Sequence, residues 1–180
     1  MTVAAAMQDA ERRARPIKLA IFDVDGVMTD GRLIFGDDGQ EYKAFNSLDG
    51  HGLKMLQSTG VDIAIITGRS SSVVAHRARN LGIAHLYQGV DNKLKAYQML
   101  LAKLELEPEH TAYMGDDVID LPIMIRCGLA IAVPAAPAVV RQHAHFTTHL
   151  SGGNGAVREA CEFIMQTQGS YNGVIAHYLA

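Results

Sequence analysis

Short apolar runs that stop abruptly on polar residues set the narrowest limit on how this chain can fold. Lys18-Leu19-Ala20-Ile21-Phe22-Asp23, Val61 to Ile66 followed by Thr67-Gly68-Arg69, Thr111 to Met114 followed by Gly115-Asp116-Asp117, and Leu129 to Val133 followed by Pro134 share this form. Each is too short for a buried helix and matches a strand covered on both faces, which delivers polar groups at its carboxyl end. Between the runs, apolar residues recur at helical spacing, so the leading architecture is α/β: a doubly wound parallel sheet with helices on both faces.

The intervening segments fit this plan. Arg32 to Phe35 and Gln40 to Phe45 flank Gly36-Asp37-Asp38-Gly39, the residue types of a tight turn, and predict a β-hairpin inserted at about 32–45. After Asp49-Gly50-His51-Gly52, Leu53 and Leu56 suit a short helix closed by Gly60. Val74, Ala78 and Leu81 predict a helix over 71–81, ended by Gly82. A short strand at His85-Leu86-Tyr87 leads to Asp91, expected to cap a helix carrying Leu94, Tyr97, Leu101 and Leu104. Gly152-Gly153-Asn154-Gly155 sets off a last helix, about Ala156 to Gln168. Residues 1–16 form an alanine-rich, charged leader, a surface helix or a flexible segment, and 17–180 form a single domain.

A chain of 180 residues, 48% of them hydrophobic, can bury one core without disulfides or structural metals. Its net charge of −3 speaks against nucleic acid as the main partner. Cys127 and Cys161 lie far apart without metal-ligand spacing and read as reduced packing residues. No apolar run reaches membrane-spanning length, and the start lacks an apolar signal core, so a cytoplasmic protein is expected.

Ligands of open parallel sheets bind outside the carboxyl ends of the strands. The residues delivered there are Asp23 and Asp25, then Thr67 and Gly68, then Lys93 at a helix start, then Asp116 and Asp117. Carboxylates gathered in this way repel unless a cation lies between them, and a hard divalent ion with oxygen ligands, Mg²⁺, suits them. Asp23 and Asp116 are expected to share it, with Asp117 orienting a bound water. A carboxylate can attack phosphorus, so Asp23 is the candidate nucleophile and Asp25 the acid/base beside it. Thr67, the Gly68 N–H and Lys93 are candidates for the phosphoryl oxygens. Each alone is commonplace. All of them in order, each behind a strand or at the next helix start, is not.

The motifs Asp23-Val24-Asp25-Gly26-Val27, Thr67, Lys93 and Gly115-Asp116-Asp117-Val118-Ile119-Asp120 resemble, in order, those of the haloacid dehalogenase superfamily. The resemblance implies that Asp23 is nucleophile and metal ligand and that Asp25 is acid/base while its backbone carbonyl binds Mg²⁺. It also implies that Asp116 is the second carboxylate ligand and that Asp117 supports the metal site. Neither gap between motifs has room for a cap domain, so the chain is similar to the capless branch acting on sugar-acid phosphates. That branch implies a homotetramer, with the hairpin as contact and neighbouring subunits completing the site.

The carboxylate of such a substrate suits arginine, and Arg69, Arg77 and Arg158 are the candidates. An eight-carbon keto-sugar phosphate is the leading substrate, and a nine-carbon sialic-acid-type phosphate is the alternative within the same chemistry. A phospho-receiver signalling domain is the alternative of another class, although its acidic pair precedes a lone phosphorylated aspartate, the reverse of the order here. His143, His145 and His149 read as surface histidines, and His51 carries no assignment.

Overall fold

The computed structural model describes residues 2–179. In chain order the elements are α1 (Val3–Ala14), β1 (Leu19–Phe22), β2 (Ile34–Phe35), β3 (Glu41–Tyr42), α2 (Ser47–Ser58), β4 (Asp62–Ile66), α3 (Ser72–Leu81), β5 (His85–Tyr87), α4 (Lys93–Leu104), β6 (Thr111–Gly115), α5 (Leu121–Met124), β7 (Leu129–Ala132), α6 (Ala138–Gln142), β8 (Phe146–Thr147), α7 (Ala156–Thr167) and α8 (Tyr171–Leu179).

Six strands form one sheet in the order β5-β4-β1-β6-β7-β8, and every pairing in it is parallel. All four residues of β1 are buried, as are all of β6 and β7, because helices cover both faces of a parallel sheet. From β1 the chain moves outward to β4 and β5, then returns across the sheet to β6. With the right-handed crossovers that parallel sheets adopt, this strand order assigns α2 and α3 to one face and α4 to α6 to the other, in keeping with the contacts of α2 with α3 and of α4 with α5. The reversal beside β1 opens a crevice at the carboxyl ends of β1 and β6, the usual ligand position of such folds.

Helix α2 begins earlier than expected. Asn46 Oδ1 accepts from the backbone N–H of Leu48 (2.7 Å) and Asp49 (3.3 Å), a sound N-cap that carries the Asp49–Gly52 stretch into the helix. The glycines that suggest a turn serve close packing instead: a Cβ on Gly52 would stand 3.0 Å from Arg158 Cα of α7. Asp49, buried on α2, accepts from the N–H groups of Gly155 (3.3 Å) and Arg158 (2.9 Å) and thereby caps α7, whose own N-cap residue is glycine. The cap of α4 is Asn92, not Asp91. Its side chain reaches the Lys95 N–H at 3.0 Å, and Asp91 stands one residue too early.

Residues 3–14 form a helix laid on α7 and β7, with Ala10 and Ala14 fully buried. Arg13 donates to the Gly128 carbonyl (3.2 Å), and Gln168 at the end of α7 donates to the Ile17 carbonyl (2.8 Å). The hairpin β2–β3 is a separate two-stranded antiparallel unit, pairing Ile34 with Tyr42 and Phe35 with Glu41. Cys127 and Cys161 are free and buried. Among the described residues no helix is long and apolar enough to cross a membrane.

Candidate active site

The strand ends converge on a cleft of about 220 Å³, lined by Asp23 and Asp25 after β1, Thr67, Gly68 and Arg69 after β4, Lys93 on α4, and Asp116 and Asp117 after β6. Asp23 sits where its backbone N–H still bonds the Met114 carbonyl of β6 (3.0 Å), so its position is fixed by the sheet. One carboxylate oxygen accepts from the Val24 N–H (2.7 Å) and the other lies 2.8 Å from Lys93 Nζ. Gly26 bends the chain away at φ +84°. A Cβ there would stand 2.0 Å from Asp116 Oδ2, so glycine is what lets the loop pass the acid.

Lys93, the first residue of α4, is buried and also donates to Asp120 Oδ1 at 2.7 Å. Burial works against its charge, but the fields of Asp23 and Asp120 outweigh it and hold the ammonium above its ordinary range. Desolvation and the charge of Asp120 raise Asp23 to about 6, against the pull of Lys93. Desolvation and the charges of Asp23, Asp120 and Asp117 raise Asp116 to about 7. A buried acid and a half-buried one that resist ionisation side by side, with only oxygen ligands, are what a hard cation would relieve.

Asp23, Asp116 and Asp120 bring ligand oxygens within 4.8 Å of one another. Asp120 differs from the other two in its bonding. Its carboxylate accepts from Lys93, from Tyr113 Oη (2.6 Å), and from the backbone N–H groups of Asp116 (3.1 Å) and Asp117 (3.2 Å). Four donors fill its acceptor sites, so it braces Lys93 and the Asp116–Asp117 loop, and Asp23 and Asp116 are the members of the group with acceptor sites left for a cation. Tyr113, fully buried, is pushed well above the ordinary phenol range by desolvation and by Asp120 and Asp23, and stays a donor.

Asp120 lies within the acidic motif quoted from the sequence, yet residue type and spacing gave it no role. Lys43 is the second residue that sequence reasoning missed: its side chain is 1% exposed and its ammonium pairs with Asp25 and, at 3.3 Å, with Glu41. Nothing around Lys43 in the sequence distinguishes it from a solvated lysine. Asp117 lines the cleft while Oδ1 accepts from the Val118 N–H (2.7 Å), capping the 3₁₀ turn Val118–Asp120.

The three candidate arginines part company. Arg69 lines the cleft, 3.7 Å from Asp25 and 3.0 Å from Glu41. Arg77 does not line it: its Nη2 donates to the Asn46 carbonyl (3.2 Å) and its guanidinium lies 5.7 Å from the Phe45 ring centroid. Arg158 is also absent from the lining and bonds Glu162 at 2.6 Å. His51 lines a different hollow, about 670 Å³ between α2 and α8, with its ring edge-on to Tyr178. None of the strand-end acids reaches that hollow. His143, His145 and His149 bond separate partners, the Val139 carbonyl, the Ala130 N–H and Glu159, and among the described residues they belong to no cluster of metal-ligand atoms.

Residues 34–128 match the family model described as haloacid dehalogenase-like hydrolase. The 3-deoxy-D-manno-octulosonate 8-phosphate phosphatase KdsC of Yersinia pestis is 48% identical over 92% of this chain and 88% of its own. A crystal structure from Pseudomonas syringae pv. phaseolica, named a "probable yrbi family phosphatase", superimposes with a TM-score of 0.95 at 52% identity, over 96% of this chain and 98% of its own. The 3-deoxy-D-manno-octulosonate 8-phosphate phosphatase of Moraxella catarrhalis, solved with a magnesium ion, a phosphate ion and a KDO molecule, gives 0.94 at 44% identity, over 96% and 99%. The full-length match sets aside the phospho-receiver alternative. The chain belongs to the haloacid dehalogenase-like hydrolases and, within them, to the family of the 3-deoxy-D-manno-octulosonate 8-phosphate phosphatases.

Proposed function

We propose that this chain hydrolyses 3-deoxy-D-manno-octulosonate 8-phosphate to 3-deoxy-D-manno-octulosonate and phosphate, in lipopolysaccharide precursor synthesis, with Asp23 as nucleophile and Mg²⁺ as cofactor. One observation carries the reading: Asp23 directly follows β1 in a cleft it shares with Asp116, with Lys93 2.8 Å from its carboxylate. Near full-length similarity to phosphatases of that name supports the substrate.

Asp23 and Asp116 would hold the metal by their side chains, and Asp25 by its backbone carbonyl, with Asp117 supporting. When bound, Mg²⁺ supplies the positive charge that offsets repulsion between these carboxylates and the phosphoryl oxygens. Asp23 attacks phosphorus as the carboxylate, the bond from phosphorus to the sugar oxygen breaks, and Asp25 gives that oxygen its proton. Water then attacks the aspartyl-phosphate, Asp25 takes the water's proton, and the bond to Asp23 breaks to release phosphate. Lys93, the Thr67 hydroxyl and the Gly68 N–H serve the non-bridging oxygens throughout.

A cleft of about 220 Å³ is smaller than the roughly 300–1,000 Å³ of ordinary small-molecule sites. It accommodates the phosphoryl group and metal and leaves most of the sugar outside. Arg69, at its rim, is placed for the substrate carboxylate. Arg158 would act from a neighbouring subunit in a homotetramer, whereas Arg77 is engaged with the Asn46 carbonyl and the Phe45 ring. The exposed apolar side chains of Leu33, Ile34, Phe35 and Tyr42 on the hairpin support such an assembly.

Turnover of eight- and nine-carbon keto-sugar phosphates, each with Mg²⁺ and with EDTA, tests the reading. Preference for the eight-carbon substrate and loss under chelation are expected. Equal rates with EDTA would exclude the metal mechanism, and cleavage of the nine-carbon compound alone would exclude the substrate.

A further inference from the structure

The carboxylate of Asp25 has one hydrogen-bond donor among the described residues, and it comes from the hairpin: Lys43 Nζ. Asp23, by contrast, is held by Val24 and Lys93, and Asp120 by four donors. Lys43 is itself held. Its stem is buried, and its ammonium lies between Asp25 and Glu41, with Glu41 3.0 Å from Arg69 and Arg69 3.7 Å from Asp25. Two anions and two cations thus close a ring that joins the loop after β1, the hairpin and the loop after β4.

A lysine side chain buried just after a two-residue strand is an expensive arrangement, because desolvating the ammonium is unfavourable unless its partners are well placed. The main structural alternative is that Lys43 only anchors the hairpin. Glu41 would suffice as partner for that purpose, yet the ammonium also reaches Asp25, whose side chain must meet first the leaving oxygen and then a water.

We propose that Lys43 is a positioning residue for Asp25, fixing the rotamer from which its carboxyl reaches the leaving-group oxygen, so that the seating of the hairpin and proton transfer form one unit. This rests on the acid/base role given to Asp25 above. Lys43 does not line the cleft, and in this role it acts through Asp25. Removing the constraint leaves the acid present but misplaced, and misplacement by about 1 Å can lower a rate by roughly a hundredfold.

Leaving-group dependence separates this role from anchoring. Phenyl phosphate and p-nitrophenyl phosphate differ in how much their leaving oxygen needs a proton, and neither carries a carboxylate for Arg69 to grip. Because kcat/KM reports the steps up to the first bond cleavage, Lys43→Met is expected to lower it at least about tenfold more on phenyl than on p-nitrophenyl phosphate, a share of the usual general-acid contribution. Lys43→Arg, which keeps the charge and the donors, is expected to recover part of the loss. Size-exclusion and near-ultraviolet circular dichroism report whether each variant retains its fold and assembly.

Equal losses on both substrates, with Asp25→Asn still selective, would overturn the positioning role alone. If Asp25→Asn also fell equally on both, the acid/base role of Asp25 would fall and this proposal with it.

Discussion

Lys93 lies 2.7 Å from Asp120, and the same ammonium lies 2.8 Å from Asp23. Asp120 is saturated by its other donors, so it cannot swing, and Lys93 is held with its charge aimed at Asp23, the proposed nucleophile. Lys93→Met is expected to lower kcat by about 10²–10³, the usual loss when a preorganised donor to developing charge is removed. It also strands the buried Asp120 without its counter-ion, and breaking such a pair costs about 3–5 kcal/mol. Steady-state kinetics and urea unfolding check the two effects, and a kcat within a few-fold of the parent would remove Lys93 from the phosphoryl site.

Asp23→Asn removes the attacking carboxylate while keeping its shape. Turnover should disappear, and no acid-stable or hydroxylamine-sensitive phosphoryl label should appear on the protein after rapid quench. The folded state should not suffer, because the substitution removes a charge that burial and Asp120 already disfavour. Retained turnover in a folded variant would assign the nucleophile elsewhere.

The same strain sets a pH dependence. Asp23 at about 6 and Asp116 at about 7 stand above the unfolded aspartate, raised first by desolvation and then by neighbouring carboxylates. As pH rises from about 4 the unfolded chain releases these protons first, so their contribution to metal-free stability is complete below about pH 4 and lost by about pH 7. Protons and Mg²⁺ compete for the same oxygens, so metal binding strengthens over that window. The Tm gained with Mg²⁺ over EDTA should be near zero at about pH 5 and level off above about pH 7. A gain independent of pH would place the metal away from these acids.

The strands were readable because a fully buried parallel strand must be apolar along its length and polar where it ends, and β1, β4, β6 and β7 obey both rules. Asp23, Asp25, Thr67, Gly68 and Asp116 inherit their placement from those ends, and all of them line the cleft. Strand order was not readable, since neither β8, two residues long, nor the return from β5 to β6 leaves a local pattern. Helix α8 carries Tyr171, Val174, Ile175 and Tyr178 at helical spacing, but at nine residues, with Gly169 just before it and Gly173 within it, the signal is short and interrupted by the residues that ordinarily end helices. Asp120 and Lys43 escaped for a different reason. Their roles come from partners distant in sequence, Lys93 for one and Asp25 for the other, and residue type says nothing about a contact across 18 or 27 positions.

The hairpin gives the last prediction, because it combines an inward and an outward duty. Inward, Lys43, the residue after β3, reaches Asp25. Outward, Phe35 and Tyr42 remain 56% and 50% exposed, beside Leu33 and Ile34, on a two-stranded unit too small to be stable alone. Burying a phenylalanine side chain contributes about 1.5–3 kcal/mol, and a symmetric assembly repeats that gain at every copy of the contact. Phe35→Asp places a charge where each copy would meet the same charge on its neighbour. Light scattering at micromolar concentration should show the assembly breaking into smaller species. In the proposed assembly the sugar would draw on groups from the neighbouring subunit and the small aryl ester would not, so turnover of the sugar phosphate should fall more than turnover of p-nitrophenyl phosphate. An unchanged assembly would move the contact off the hairpin. Dissociation with full activity on the sugar phosphate would mean that one subunit holds the whole site.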